Sequence, residues 1–233
     1  FGVNDAHTFF NPKAGLLYKP NADNQFYISY ARAHREPNRT DYENGSPVPE
    51  ELDDVELGWR WKTSDAYLNA NIYFMGYKNQ LVLTGAIDDV GAPIRANSGD
   101  SYRRGIELEG GWNIYSNLNW QANLTWSKNR NRNKYFKRDD VLQSIGDTHL
   151  AYSPSMVAAQ QLTYASDNWS VSFVSKYVGQ QYMGNIDAEL SKLDGYLIND
   201  IQLQAVLLNK KSGLNLDLNP VSYTHIRAHE THR

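Results

Sequence analysis

The sequence contains no cysteine among its 233 residues. That excludes a disulfide framework, thiolate metal clusters and cysteine nucleophiles, and leaves the compartment open. It contains no run approaching the roughly 20 consecutive apolar residues that a membrane-spanning helix needs, so any bilayer crossing has to be made by strands. Neither sign of charge is in excess. With 23 Lys and Arg against 26 Asp and Glu, the net charge is -3, which argues against nucleic acid as a partner, because that role needs a clustered basic face to displace counterions. No phosphate-cradling glycine loop and no Gly-x-Ser-x-Gly elbow occurs either.

What is abundant is aromatic: 12% of the chain, with 16 Tyr and 6 Trp. These residues fall into alternating segments. In LNWQANLTWSK, Trp120, Ala122, Leu124 and Trp126 hold every second position, and Asn119, Gln121, Asn123, Thr125 and Ser127 fill the places between. A soluble sandwich also alternates, but its outward face is the polar one. An apolar face this rich in Trp, Tyr and Phe fits the outer wall of a transmembrane β-barrel with aromatic girdles. Only alternate residues of such a wall meet lipid, so a negative mean hydropathy does not count against it.

Five strand pairs follow from the pattern. They occupy about 9–18 and 25–34, 52–62 and 66–78, 101–113 and 118–129, 155–165 and 168–178, and 195–207 and 213–219. Within them Phe26, Ile28 and Tyr30 share a face, as do Val55, Leu57, Trp59 and Trp61, then Leu68, Ala70, Ile72 and Phe74. Short polar turns close each pair, including Lys19 to Asn24, Thr63-Ser64-Asp65, Tyr115-Ser116-Asn117 and Ser166-Asp167-Asn168. Pro and Asn there supply preset and left-handed backbone angles. Long loops near 35–51, 79–100, 130–153 and 179–194 separate the pairs; the first carries three prolines and an Asn-Gly, which interrupt a ladder. Short connections at one rim and long ones at the other match periplasmic turns and extracellular loops. The fold class is therefore all-β, an antiparallel transmembrane barrel represented by about ten strands, which close alone or form an arc of something larger.

Both ends read as cuts. The chain opens at Phe1 with no Met and no export segment, so the start is expected to be a break. VSYTHIRAHET, Val221 to Thr231, abandons the alternation after Pro220 and resembles a translated sequencing-adapter read-through. The expected organisation is thus a partial barrel over 1–220 and a non-native tail over 221–233, making few contacts. His225, His229, Glu230 and His232 imitate metal-ligand spacing within that tail, and the tail's origin argues against a metal site there.

ARAHREPNRTDY (31–42) resembles the C-terminal barrel half of TonB-dependent outer-membrane receptors. So do PEELDDVELGWRW (49–61), LNANIYFMGYKNQLVLTG (68–85), DVGAPIRANSGDSYRRGIELEGGW (89–112) and LDGYLINDIQLQ (193–204). The resemblance implies a barrel of about 22 strands around a globular plug. It further implies an active-transport receptor in the outer membrane of a Gram-negative bacterium. Such a receptor takes up a scarce nutrient, such as a ferric siderophore, cobalamin or another metal chelate, with energy passed through TonB. The plug and the TonB-contacting segment are missing from this sequence, as are the family's last strands. No catalytic residue, cofactor or metal ligand is implied; the expected partners are outer-membrane lipid, a small ligand and, through the missing plug, TonB.

Several residues still deserve weighing for chemistry. Glu107 and Glu109 share a strand face, as paired hydrolytic carboxylates would; a hydrophilic lumen wall, paired with Arg or Lys across strands, is the better reading. Arg32, Arg35, Glu36, Asn38 and Arg39 gather at one strand end, where loop anchoring competes with ligand contact. His34 and His149 lack a second His at metal spacing and suit a solvated or girdle role. Lys128, Arg130, Arg132, Lys134, Lys137 and Arg138 are expected in a solvated loop. The Asn-x-Ser/Thr triplets at Asn38, Asn44, Asn123 and Asn168 carry no information in a bacterial barrel. Asp53, Asp54, Asp88 and Asp89 would serve a ten-stranded omptin-type protease only with His partners, which are not evident. A soluble carbohydrate-binding sheet is the other alternative.

Overall fold

A computed structural model describes residues 6–43, 45–87, 90–91, 93–97, 99–138 and 141–206. It gives the backbone alone for 83–87, 93, 135–138, 141–143, 206, 217–218 and 221–226. The first strands are β1 (Lys13–Tyr18), β2 (Asn24–Arg35), β3 (Glu50–Lys62) and β4 (Ala66–Lys78), with a short helix α1 (Arg39–Glu43) between β2 and β3. After a loop hairpin of β5 (Leu81–Ile87) and β6 (Pro93–Asn97) come β7 (Ser101–Tyr115), β8 (Leu118–Arg138), β9 (Val141–His149), β10 (Met156–Ala165) and β11 (Trp169–Val178). The two-residue strands β12 (Gln181–Tyr182) and β13 (Lys192–Leu193) lie in the next loop; β14 (Tyr196–Val206), β15 (Asp217–Leu218) and β16 (Val221–Ile226) complete the chain.

One sheet of 12 strands runs β1-β2-β3-β4-β7-β8-β10-β11-β14-β15, with β9 on the upper part of β8 and β16 beside β14. Every neighbour in it is antiparallel. The free edge of β1 has no partner among the described residues, so the sheet is an open arc. Four of the five expected pairs are present; of the fifth, β14 is present and its expected partner, 213–219, is described only at Asp217–Leu218, which pair with Val206 and Ala205. The loops hold more structure than the sequence suggested, because β8 continues as a hairpin with β9 and carries the Lys128–Arg138 basic run on a strand.

The register aligns the faces. Ile28, Leu57, Ile72, Ile106 and Trp126 form one continuous row across β2, β3, β4, β7 and β8. No second layer covers that row: Trp126 is 65% exposed, Ile72 53% and Leu57 52%. The opposite face is polar and concave, and a trough of about 600 Å³ spans β2 to β8 along it. The apolar side is therefore the convex one, as a barrel wall in lipid requires.

Turn chemistry fixes the short rim. Asn21 accepts hydrogen bonds from the backbone N–H of Asp23 (3.1 Å) and Asn24 (2.8 Å), and Thr63 Oγ1 accepts from Ala66 N (3.1 Å). Aromatic side chains collect just above: Phe26 stacks on Trp59 with centroids 6.3 Å apart, Tyr164 lies 5.4 Å from Trp169, and Trp112 pairs with Trp120 across strands.

On the concave face, three tyrosines lie over cross-strand glycines: Tyr27 over Gly58, Tyr67 over Gly111 and Tyr73 over Gly105. A Cβ at Gly58 or Gly111 would overlap the facing ring. Each ring thus fills the space the glycine leaves, pinning register and allowing the sheet to curve there.

One expectation fails. Val221–Ile226 does not stand clear of the sheet but ladders with Leu197–Gln202 of β14. The physical reason is that an open edge presents unpaired N–H and C=O groups that accept any extended segment, whatever its side chains.

Candidate functional site on the concave face and the loop rim

The trough on the concave face is lined by Tyr27, Arg60, Asn71, Glu107, Glu109 and Asn123, among others. Tyr27 Oη donates to Asn71 Oδ1 (3.1 Å), and the Arg60 guanidinium lies 5.2 Å above the Tyr27 ring. Glu107 and Glu109 are there, but among the described residues neither makes the expected ion pair with Arg or Lys. Their cross-strand neighbours are Asn71 and Asn69, whose amides reach Glu107 at 3.5 Å and Glu109 at 3.4 Å. Amide pairing leaves both carboxylates with free acceptor capacity toward the lumen. The wall can therefore hydrogen-bond to water, to another protein element or to a polar solute.

Nearer the loop rim the same face carries Arg35, Glu50 and Arg103. Arg35 donates to Glu50 (3.2 Å) and to Leu81 O (3.2 Å), and Glu50 also accepts from Leu81 N (2.8 Å), which ties the β5–β6 hairpin to the wall. Arg103 lies 5.5 Å over the Tyr77 ring. Asp54, on β3 rather than in a loop, also points to this face; its Oδ1 is buried without a hydrogen-bond partner.

The residues of REPNRTDY turn out to anchor the loop. Asn38 accepts from Asp41 N (3.0 Å) while Asp41 accepts from Asn38 N (2.9 Å), a reciprocal cap on α1. Arg39 pairs with Glu43 (2.7 Å), and Asn97 grips Val48 through both its backbone groups. Glu36 is exposed.

On the convex face at this rim, Arg32 makes two bonds of 2.8 Å to Asp53, and Tyr30 Oη donates to the same carboxylate (2.6 Å). Glu51 gathers Lys78 (2.8 Å), His34 (3.2 Å) and Arg32 (3.6 Å). His34 also stacks on Phe9 at 4.8 Å. His149 sits 3.0 Å from Asp187, which Arg130 approaches at 3.8 Å.

Sequence reasoning missed a buried polar knot that holds the loops. Asn131 is fully buried; its Nδ2 donates to Thr148 Oγ1 (3.1 Å) and His149 O (3.1 Å). Thr148 in turn donates to Asn185 O (2.8 Å), and Asn185 Oδ1 accepts from Ala151 N (3.0 Å). Just beyond, burial lowers the Lys134 ammonium below its ordinary range, and in the next loop hydrogen bonding to Glu189 raises that of Lys192.

Among the described residues no group of three His, Cys, Asp or Glu is placed to hold a metal. Asp88 and Asp89, Asn44, and the tail residues His229, Glu230 and His232 lie outside the described residues; of His225 only the backbone is described. Asn123 lines the trough, and Asn168 belongs to the β10–β11 turn.

A convex apolar wall, a concave amide-rich wall and long anchored loops at one rim make a specific combination. The family model for the β-barrel of TonB dependent receptor-like proteins matches residues 1–219. The chain belongs to that family. Among solved structures it is similar to the ferric-catecholate import receptor Fiu from E. coli K12. There it has 22% identity and a TM-score of 0.66, covering 91% of this chain and 30% of that one. It is also similar to the ferric yersiniabactin uptake receptor FyuA from Yersinia pestis (17% identity, TM-score 0.61, 84% of this chain and 29% of that one). The copper transporter OprC gives 16% identity and a TM-score of 0.66, covering 84% and 31%. At such identities the likeness establishes the fold, and this TonB-dependent receptor chain spans about a third of the length of the structures it matches. No curated protein matches the chain.

Proposed function

We propose that this chain is part of the barrel wall of an outer-membrane receptor that imports a scarce nutrient, a ferric siderophore before cobalamin, with energy delivered through TonB. The observation that carries this reading is the opposition of the two faces: exposed Leu57, Ile72 and Trp126 on the convex side, and Asn71, Glu107 and Asn123 on the concave side. Lipid meets the first. A plug and a passing ligand meet the second, and TonB acts on the plug. The receptors similar in fold are named for a ferric catecholate, ferric yersiniabactin and copper, so a metal chelate is the favoured ligand class. We further infer that the protein is not an enzyme, and that residues 221–233 are foreign to the native wall although Val221–Ile226 pair with the edge of β14.

The deciding experiment is uptake of radiolabelled ferric siderophores by cells whose source of this function is the full-length receptor. Uptake that disappears when TonB is removed supports the reading. Uptake that persists without TonB, or a receptor recovered outside the outer membrane, refutes it. Sequencing the genomic DNA across codon 220 tests the tail: a receptor strand continuing after Pro220, in place of VSYTHIRAHET, is the expected result.

A further inference from the structure

One ladder row breaks the apolar convex face. Gln160 of β10 stands opposite Ser175 of β11, and Ser175 stands opposite Asn199 of β14. Register turns all three outward, in line with Ala122 of β8, which lies between Trp120 and Leu124 on the apolar face. The row is not at a rim. On its turn side the next outward residues are Leu162, Phe173 and Ile201, all exposed, and on its loop side they are Ala158, Tyr177 and Leu197. Three neighbouring polar side chains therefore lie inside the band that meets hydrocarbon. Trp120 Nε1 donates to Gln160 Oε1 (3.0 Å), and Ser175 Oγ donates to Asn199 Oδ1 (2.7 Å). Gln160 Nε2 donates to nothing among the described residues. Gly110 and Ala122, which continue the row beyond it, carry too little side chain to shield it.

Amide N–H donors that face hydrocarbon without an acceptor carry a free-energy cost that water does not relieve at that depth. An amide is its own complement. Gln160 holds unused donors on Nε2 and, with one bond accepted from Trp120, an unused lone pair on Oε1. Two receptors with the same bilayer orientation are related by a two-fold axis along the membrane normal, which keeps every residue at its own height. Gln160 then meets Gln160 of the second copy, and each Nε2 reaches the other's Oε1. We infer that the Gln160–Ser175–Asn199 row is the contact through which two copies of the receptor associate side by side in the membrane. The inference rests on the proposed membrane orientation. Lipid tails offer no acceptor at this depth, whereas a second copy presents the same amide there, so hydrogen bonding selects it as the occupant.

The test uses the full-length receptor in phosphatidylcholine vesicles over a range of protein-to-lipid ratios, with copies per complex counted by single-molecule photobleaching. The wild type should pass from one copy to two as the ratio rises. Gln160→Leu keeps the bulk of the side chain and removes the amide; it should move the midpoint to about tenfold more protein, for two hydrogen bonds lost in lipid. Leu57→Ala, on the distant strand β3, should leave the midpoint in place. In an otherwise cysteine-free receptor, Ala158→Cys should cross-link to its counterpart on oxidation with copper phenanthroline, and Leu57→Cys should not. A wild type that stays single at every ratio overturns the inference, and so does an unshifted midpoint in Gln160→Leu. A receptor that does not insert in the vesicles at all refutes the orientation instead, so the two failures are distinguishable.

Discussion

Ile72 and Asn71 are adjacent in β4, and their side chains stand on opposite faces of the sheet. Ile72 is the middle residue of Ala66–Lys78 and stands 53% exposed on the convex face between Leu57 and Ile106. Six residues on either side, at ~3.3 Å each and tilted by ~40°, extend about 15 Å above and below it, half of a hydrocarbon layer of about 30 Å. Ile72→Arg therefore places a guanidinium near the bilayer midplane, where the cost is about 2–4 kcal/mol. That corresponds to a roughly thirtyfold to nearly thousandfold loss of folded over unfolded receptor. Asn71→Arg, one residue away, places the same group in the lumen beside Glu107, within reach of a carboxylate that now accepts only a 3.5 Å amide contact. Its cost should stay below about 1 kcal/mol, the ordinary range for a surface substitution or exposed pair. The assay is reversible guanidinium unfolding of the full-length receptor in lipid vesicles, followed by tryptophan emission. Equal costs for the two substitutions, or a larger one for Asn71→Arg, would mean that hydrocarbon does not touch the convex face, and the receptor reading would fail with it.

Gly58→Ala should destabilise the barrel by about 1–3 kcal/mol, the usual cost of overpacking, because the added Cβ overlaps the Tyr27 ring. In a Tyr27→Ala background the same change should be nearly neutral, and a double-mutant cycle in the same unfolding assay measures the difference. Asn131→Ala should cost about 1–3 kcal/mol, since it strips buried partners from Thr148 and His149 O; faster hydrogen exchange confined to 145–151 and 180–193 would locate the effect. Asp53→Ala removes the acceptor shared by Arg32 and Tyr30, and limited proteolysis should then cut faster within the 36–49 loop while the strands stay protected.

The strands were legible because side chains alternate with period two whatever the tertiary context. Phe26-Ile28-Tyr30 and Leu68-Ala70-Ile72 declare their face locally. The basic run misled for the same reason in reverse: Lys128, Arg130 and Arg132 alternate with Asn129, Asn131 and Asn133, a strand period carried entirely by polar residues. Hydropathy cannot see such a strand, although the alternation itself was a usable signal. The tyrosine–glycine pairs, the Arg32–Asp53 bond and the Asn131–Thr148–Asn185 knot could not be read in advance. Each joins residues 17 to 44 positions apart and exists only once register is set.

Register also explains why the charged rim does not follow one row of the ladder. On β2 and β3 the outward face turns charged at Arg32 and Asp53, with Tyr30 and Val55 still apolar one outward step below. On β7 and β8 it turns charged already at Arg104 and Lys128, which share the ladder row of Phe74, Val55 and Tyr30. In a flat sheet with strands upright, such a step would place a cation pair inside the apolar band. In a barrel the strands tilt by about 35–45°, so a ladder row climbs as it passes around the wall and a level membrane surface must cross from row to row. The two-residue step between β3 and β7 is what that geometry demands of a horizontal boundary.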